Sequence, residues 1–168
     1  MMRLRVLLMA LVALPSAAGI ARADGCRQDK AVYRDSGNTI EMRFQPATEQ
    51  AQAASHTFRI AVQSTAIVLD GVVLAGDDGQ RANGLAMYKC PEGDVTGADL
   101  LKCTVWDGVF YSIDSAGMIG DLPSAAASPA PQLILSDFGR YAQNSAVWLD
   151  NNLTVAPSDV LALKGCDS

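Results

Sequence analysis

The sequence predicts an all-β fold, mainly antiparallel: a small sandwich or barrel with one or two short helices, stapled by two disulfides. Three observations predict it. Apolar and polar residues alternate in short runs, as Ile40, Met42 and Phe44 do against Glu41 and Arg43, the pattern of a strand with one buried face. Gly, Asp, Asn and Ser break those runs at short intervals. No run behind residue 23 carries a long apolar stripe at helical spacing. The count comes to roughly eight to ten short strands, which suits a small antiparallel sandwich or barrel.

Residues 1–23 stand apart and read as a secretory signal peptide. Arg3 and Arg5 supply the positive start, and the apolar run at 6–14 is too short to span a bilayer. Ala21-Arg22-Ala23 is a small-x-small cleavage site, so the mature chain is expected to be a single β-rich domain over 24–168, beginning at Asp24. Asp24 disfavours a lipid anchor on Cys26, and no second hydrophobic run follows, so the mature chain has no transmembrane segment. A periplasmic or secreted location follows.

In chain order, a strand at 31–33 leads into a turn at 35–38, then an alternating strand at 39–44. Residues 46–55 read as an exposed Ala/Gln-rich connection. The next strand, 56–62, places Phe58, Ile60 and Val62 inward and Arg59 outward. Asp70-Gly71 lies between the β-forming runs 66–69 and 72–75, which reads as a hairpin turn, or as a bulge inside one strand. Gly76-Asp77-Asp78-Gly79 is a polar turn without the alternating ligands of a calcium loop. A strand at 84–90 carries Leu85 and Met87 on one face and Tyr88 on the other. Thr96-Gly97-Ala98-Asp99 fits a weak capping box and starts a single helical turn. Asp107-Gly108 repeats the hairpin signal between 104–106 and 109–113. Residues 121–132 form a mobile Pro/Ala/Ser loop. Then come a strand at 133–135, a short helix through Tyr141 capped by Ser136 or Asp137, and strands at 146–149, 153–155 and 159–163.

The four cysteines, Cys26, Cys90, Cys103 and Cys166, all lie behind the signal segment, and an even count in an exported chain points to two disulfides. Three pairings exist. The reading favours Cys90–Cys103, close in sequence, with Cys26–Cys166, which would tie the two ends of the mature chain. No Cys-x-x-Cys occurs, which disfavours thiol–disulfide catalysis. A single histidine and the cysteine spacing disfavour zinc, and no cofactor is expected.

Charge narrows the partners. The chain has 13 basic and 18 acidic residues, a net −5. Arg3, Arg5 and Arg22 fall in the signal segment and no acid does, so the mature chain stands at ten basic against eighteen acidic. That balance disfavours nucleic acid and anionic membranes. It is compatible with a basic protein or an envelope component.

Catalytic signatures are sparse, and the reading leans against an enzyme with no catalytic residue assigned. No Gly-x-Ser-x-Gly elbow, Walker loop or dinucleotide fingerprint is present. His56, the single histidine, heads a strand and reads as exposed or at an edge. Arg81 and Arg140 read as pairing with the protein's own acids. A carboxylate pair of the glycosidase kind is open, since acids are plentiful.

The segment CPEGDVTGADLLKCTVWDGVFY, the later DFGRY and the closing residues Asp159 to Cys166 resemble a group of uncharacterised small secreted proteins of Gram-negative bacteria. That resemblance implies an exported, disulfide-bonded domain and no particular activity. The same segment concentrates the features that look like a recognition surface: Glu92, Asp94, Asp99 and Asp107, with Tyr88 and Trp106 beside them. The expected function is a non-enzymatic periplasmic binding or inhibitor module. A structural or accessory envelope protein and a small carboxylate-dependent hydrolase are the alternatives.

Overall fold

The computed structural model describes residues 25–46, 54–76, 81–91, 93 and 96–167. The signal segment, most of the 46–55 connection and the acidic turn at 77–80 lie outside the described residues. The alternating runs become strands β1 (Ala31–Asp35), β2 (Ile40–Gln45), β3 (Ala54–Val62), β4 (Val68–Leu74), β5 (Asn83–Met87), β6 (Thr104–Ile113), β7 (Ile119–Gly120), β8 (Gln132–Leu135) and β9 (Val160–Cys166). Three short helices join them: α1 (Gly97–Cys103), α2 (Phe138–Asn144) and α3 (Ala146–Asp150). A 3-10 turn at Gln28–Lys30 precedes β1.

Every pairing is antiparallel, in the order β5-β4-β3-β2-β1-β9-β8-β6-β7. The β5–β6 pairing closes eight of the strands into an up-and-down barrel, while two-residue β7 lies against the far end of β6. Closure leaves those eight strands without a bare edge. One end of the barrel carries the turns at 36–39 and 63–67 together with α1, α2 and α3. The other end carries Cys26 and Cys166, the 3-10 turn and residues 121–131.

The interior is filled. Ile40, Met42, Phe44, Phe58, Ile60, Leu69, Trp106, Phe110 and Leu133 are all essentially inaccessible to solvent. Their rings meet edge-on or tilted: Trp106 lies 5.4 Å from Phe110 and 5.7 Å from Phe138, and Phe58 lies 5.6 Å from Phe110. Each such pair adds about 0.5–1.5 kcal/mol beyond its buried area.

This aromatic filling explains the Asp-Gly segments, and it overturns their reading as hairpin turns. Asp70-Gly71 sits mid-strand in β4 and Asp107-Gly108 mid-strand in β6. Gly71 faces Phe58 across the ladder, and a Cβ there would lie 2.2 Å from that ring. Gly108 pairs with Gly84, where a Cβ would lie 2.7 Å and 2.2 Å from the Trp106 and Phe110 rings respectively. The glycines are gaps that admit aromatic rings. Each Asp faces outward, where Asp70 pairs with Arg59 and Asp107 accepts from Asn83 at 2.8 Å each. The two segments therefore share a packing device. The ladder slips between Ala86 and Met87, away from Asp-Gly.

Several local expectations change as well. Residues 146–149 form α3, because Ser145 accepts from the Trp148 N–H at 3.3 Å and starts a helix there. Residues 153–155 form no strand; Val155 accepts from the Trp148 indole instead. Neither Ser136 nor Asp137 caps α2. The Asp159 carboxylate accepts from the Gly139 N–H at 2.7 Å and does that work, while the Ser136 hydroxyl accepts from the Val109 N–H. The 121–132 segment, expected to be mobile, is pinned. Gln28 and Asp29 donate their N–H groups to Ala127 and Ala125, and Ser112 donates to the Asp121 carbonyl.

Cys26 bonds to Cys166 and Cys90 to Cys103, as expected. In the chain-entropy account, bridges closing 140 and 13 residues stabilise by about 5 and about 3 kcal/mol. Arg81 pairs with Asp121 and Arg140 with Asp137. Among the described residues no helix is long and apolar enough to cross a membrane.

Candidate functional site

The stapled segment is held at three points. Thr96 caps α1, accepting from the Asp99 N–H at 3.3 Å and donating its hydroxyl to the Asp99 carboxylate at 2.7 Å. The Thr96 hydroxyl, then its backbone, then Lys102 hold the Asp99 carboxyl below its ordinary range. The bridge to Cys90 fixes the other end, and the Tyr88 N–H donates to the Cys103 carbonyl at 2.9 Å.

No residue of α1 is buried. Leu101 is 79% exposed and Leu100 38%. They stand over a groove of about 390 Å³ lined by Leu85, Met87, Gly97, Thr104 and Asp107 along with the two leucines. The groove is apolar because of the interior. Trp106 and Phe110 occupy the space inside β5, so only Gly84 and Ala86 fit inward, and Leu85 and Met87 face out.

The acids expected at a recognition surface divide. Asp107 lines this groove, whereas the Asp99 carboxylate is held by Thr96 and Lys102 and does not line it. Glu92 and Asp94 lie outside the described residues. Tyr88 is half-buried on the far side of Cys103, in a cleft shared with Lys102, Val105 and Val147, with the Lys89 ammonium 4.9 Å from its ring centre. Trp106 is corrected: it is fully buried, packs on Phe110 and Phe138, and donates to the Ser136 carbonyl at 2.8 Å. Leu85, Met87, Leu100 and Leu101 were missed. The adjacent leucines between Asp99 and Lys102 were their one visible signal, since a seven-residue helix held clear of the barrel cannot bury both.

At the opposite end, the barrel floor is polar. The Tyr33 hydroxyl lies 3.0 Å from both Gln28 Oε1 and the Ala130 carbonyl and shares its one proton between them, and burial pushes its pKa up. His56 is 5% exposed, which corrects the expectation of an exposed or edge position. It is the innermost-facing first residue of the Phe58, Ile60, Val62 row, with its ring 5.6 Å from Phe44. Ser55 Oγ lies 3.0 Å from His56 Nδ1 and donates its single proton to the Val73 carbonyl, so it accepts from Nδ1–H. Burial lowers the His56 pKa, opposed by the Pro123 carbonyl and the charge on Asp29. Gln28 Nε2 and His56 Nε2 are buried and complete no hydrogen bond of ordinary geometry among the described residues.

The buried and half-buried carboxylates do structural work. Asp29 binds Arg27, Asp35 accepts from the Thr39 and Ile40 N–H groups, and Glu41 lies between Arg34 and Arg43. Five clefts among the described residues are each lined by at most one carboxylate. No arrangement of the paired-acid kind is therefore assembled in them. No protein-family model matches the chain, and comparison with curated proteins and with solved structures finds no match.

Proposed function

We propose that this chain is a non-enzymatic binding or inhibitor module, exported to the periplasm or beyond, that grips a basic partner protein through α1 and the outer face of β5. The observation that carries this reading is Leu101: a large apolar side chain, 79% exposed, on a helical turn tied down by a disulfide and a cap. Holding such a side chain rigid in water serves no folding purpose. It does lower the ordering cost of binding. The Leu85–Met87 groove beside it supplies an apolar centre, and Asp107 supplies an acid at its rim, the anatomy of a small protein interface. Two disulfides are compatible with an oxidising compartment.

The test is capture from periplasm and culture medium with the disulfide-intact protein, in parallel with Leu101→Asp and with Cys90→Ser/Cys103→Ser. Full burial of a leucine is worth about 1.5–3 kcal/mol, so losing most of that for Leu101 weakens binding at least about tenfold. The reading expects a basic protein retained by the wild type and depleted with both variants. Equal retention by Leu101→Asp would place the contact elsewhere.

A further inference from the structure

A second cleft opens at the helical end of the barrel, between the β1–β2 turn, the β3–β4 turn and the segment behind α3. It holds about 350 Å³, is open to solvent, and lies between residues 37–39, 62–64 and 152–155 over Trp148. On a chain with 31 charged residues, none of the lining side chains is charged. The side chains of Asn38, Gln63, Ser64, Asn152 and Thr154 make no hydrogen bond within the described residues. Amides and hydroxyls each offer donors and acceptors, and here they surround an apolar floor of Val62, Trp148 and Leu153.

The walls are fixed before any ligand arrives. Asn38, Ser64 and Asn152 sit at turn tips with φ of 51°, 60° and 54°. The Gln63 N–H donates to the Thr39 carbonyl at 2.8 Å and joins the two turns. Leu153 N–H donates to the Trp148 carbonyl at 2.9 Å, and the Trp148 indole donates to Val155, which seats the third wall. The backbone that carries the polar side chains is therefore ordered before a ligand arrives, which lowers the cost of binding.

We propose that this cleft binds an uncharged saccharide. The uncharged lining offers no counter-charge to an ion and favours a neutral ligand. A ligand with many hydroxyl or acetamido groups matches five uncommitted amide and hydroxyl side chains. An extended peptide would seek a bare sheet edge, and the barrel has closed its edges here. The volume is at the low end for ligand sites, roughly 300–1,000 Å³, which fits a mono- or disaccharide. The site is separate from α1 and does not depend on the partner-binding role proposed there.

The experiment is a titration of ¹⁵N-labelled protein followed by amide chemical shifts, with N,N′-diacetylchitobiose and maltose as neutral sugars, glucuronate as a charged one and tetra-alanine as a peptide. The expected result is saturable shifts at Gln63, Ser64 and Asn152 with a neutral sugar, with a Kd on the order of 1 mM. Gln63→Ala weakens that binding about tenfold. Asn38→Gly and Asn152→Gly do the same while keeping the positive φ, so a folding defect does not imitate the effect. Leu101→Asp leaves it unchanged. The proposal is overturned if neither neutral sugar produces saturable shifts at these residues, if glucuronate or tetra-alanine binds as well, or if Gln63→Ala binds the sugar as tightly as the wild type.

Discussion

Replacing Gly71 by alanine tests whether the Asp-Gly glycines exist for aromatic rings or for turns. The alanine Cβ would stand 2.2 Å from two carbons of the Phe58 ring and 2.7 Å from a third. Ordinary contact begins near 3.4 Å, so the ring must retreat by more than 1 Å. It has nowhere to go, because Phe44 and Phe110 pack on it at 6.1 Å and 5.6 Å between ring centres. Overpacking of this kind costs about 1–3 kcal/mol, and three close ring atoms put Gly71→Ala near the top of that range. Removing a strand glycine returns about 0.5–1 kcal/mol of chain entropy, leaving a net loss of about 2 kcal/mol. For a chain of this size that lowers Tm by roughly 4–8 °C. Urea unfolding followed by the fluorescence of the buried Trp106 and Trp148 measures it directly. The decisive arm is Phe58→Leu. In that background, Gly71→Ala is expected to be near neutral, a coupling of about 2 kcal/mol between the two positions. An equal loss in both backgrounds would refute the packing argument and favour a backbone requirement at Gly71.

Other outcomes follow from the same structure. Burial lowers the His56 pKa, so the unfolded chain takes up the proton first as pH falls. Stability should therefore decline as pH drops below about 6.5, and His56→Leu should flatten that part of the pH–stability curve, measured by urea midpoints. Asp159→Ala removes the acceptor that caps α2 at Gly139, with an expected loss of about 1 kcal/mol by the same assay, whereas Asp137→Ala should have little effect. Cys26→Ser/Cys166→Ser should lower thermal stability more than Cys90→Ser/Cys103→Ser, about 5 against about 3 kcal/mol, and calorimetry of the two double variants decides the order.

Alternation made most of the barrel legible. Ile40, Met42 and Phe44, and Phe58, Ile60 and Val62, face inward as their spacing requires, and both disulfides follow from cysteine placement. The Asp-Gly segments misled because local turn chemistry and a packing gap use the same residues. Nothing local to Gly71 names Phe58 as its partner across the ladder. The helix at 146–150 was hidden for a related reason. Ala146-Val147-Trp148-Leu149 is apolar throughout and too short to show a period, and Ser145 as its cap becomes visible only once α2 ends there. The candidate site was half legible. Its acids and its bridge were visible, but Trp106 went inward and Leu85 and Met87 outward because neighbouring strands had filled the interior first.

The bridge from Cys26 to Cys166 makes the barrel nearly a ring with a nick in it. The Cys26 and Cys166 Cα atoms stand 5.6 Å apart, on the end of the barrel away from the helices. A few residues could join them without disturbing β1 or β9, and the chain could then be opened at another turn. The same placement sets the geometry of any tether. A support attached beside Cys26 or Cys166 holds the barrel by its polar floor and leaves α1 and the turn-lined cleft pointing outward, free to meet whatever diffuses past.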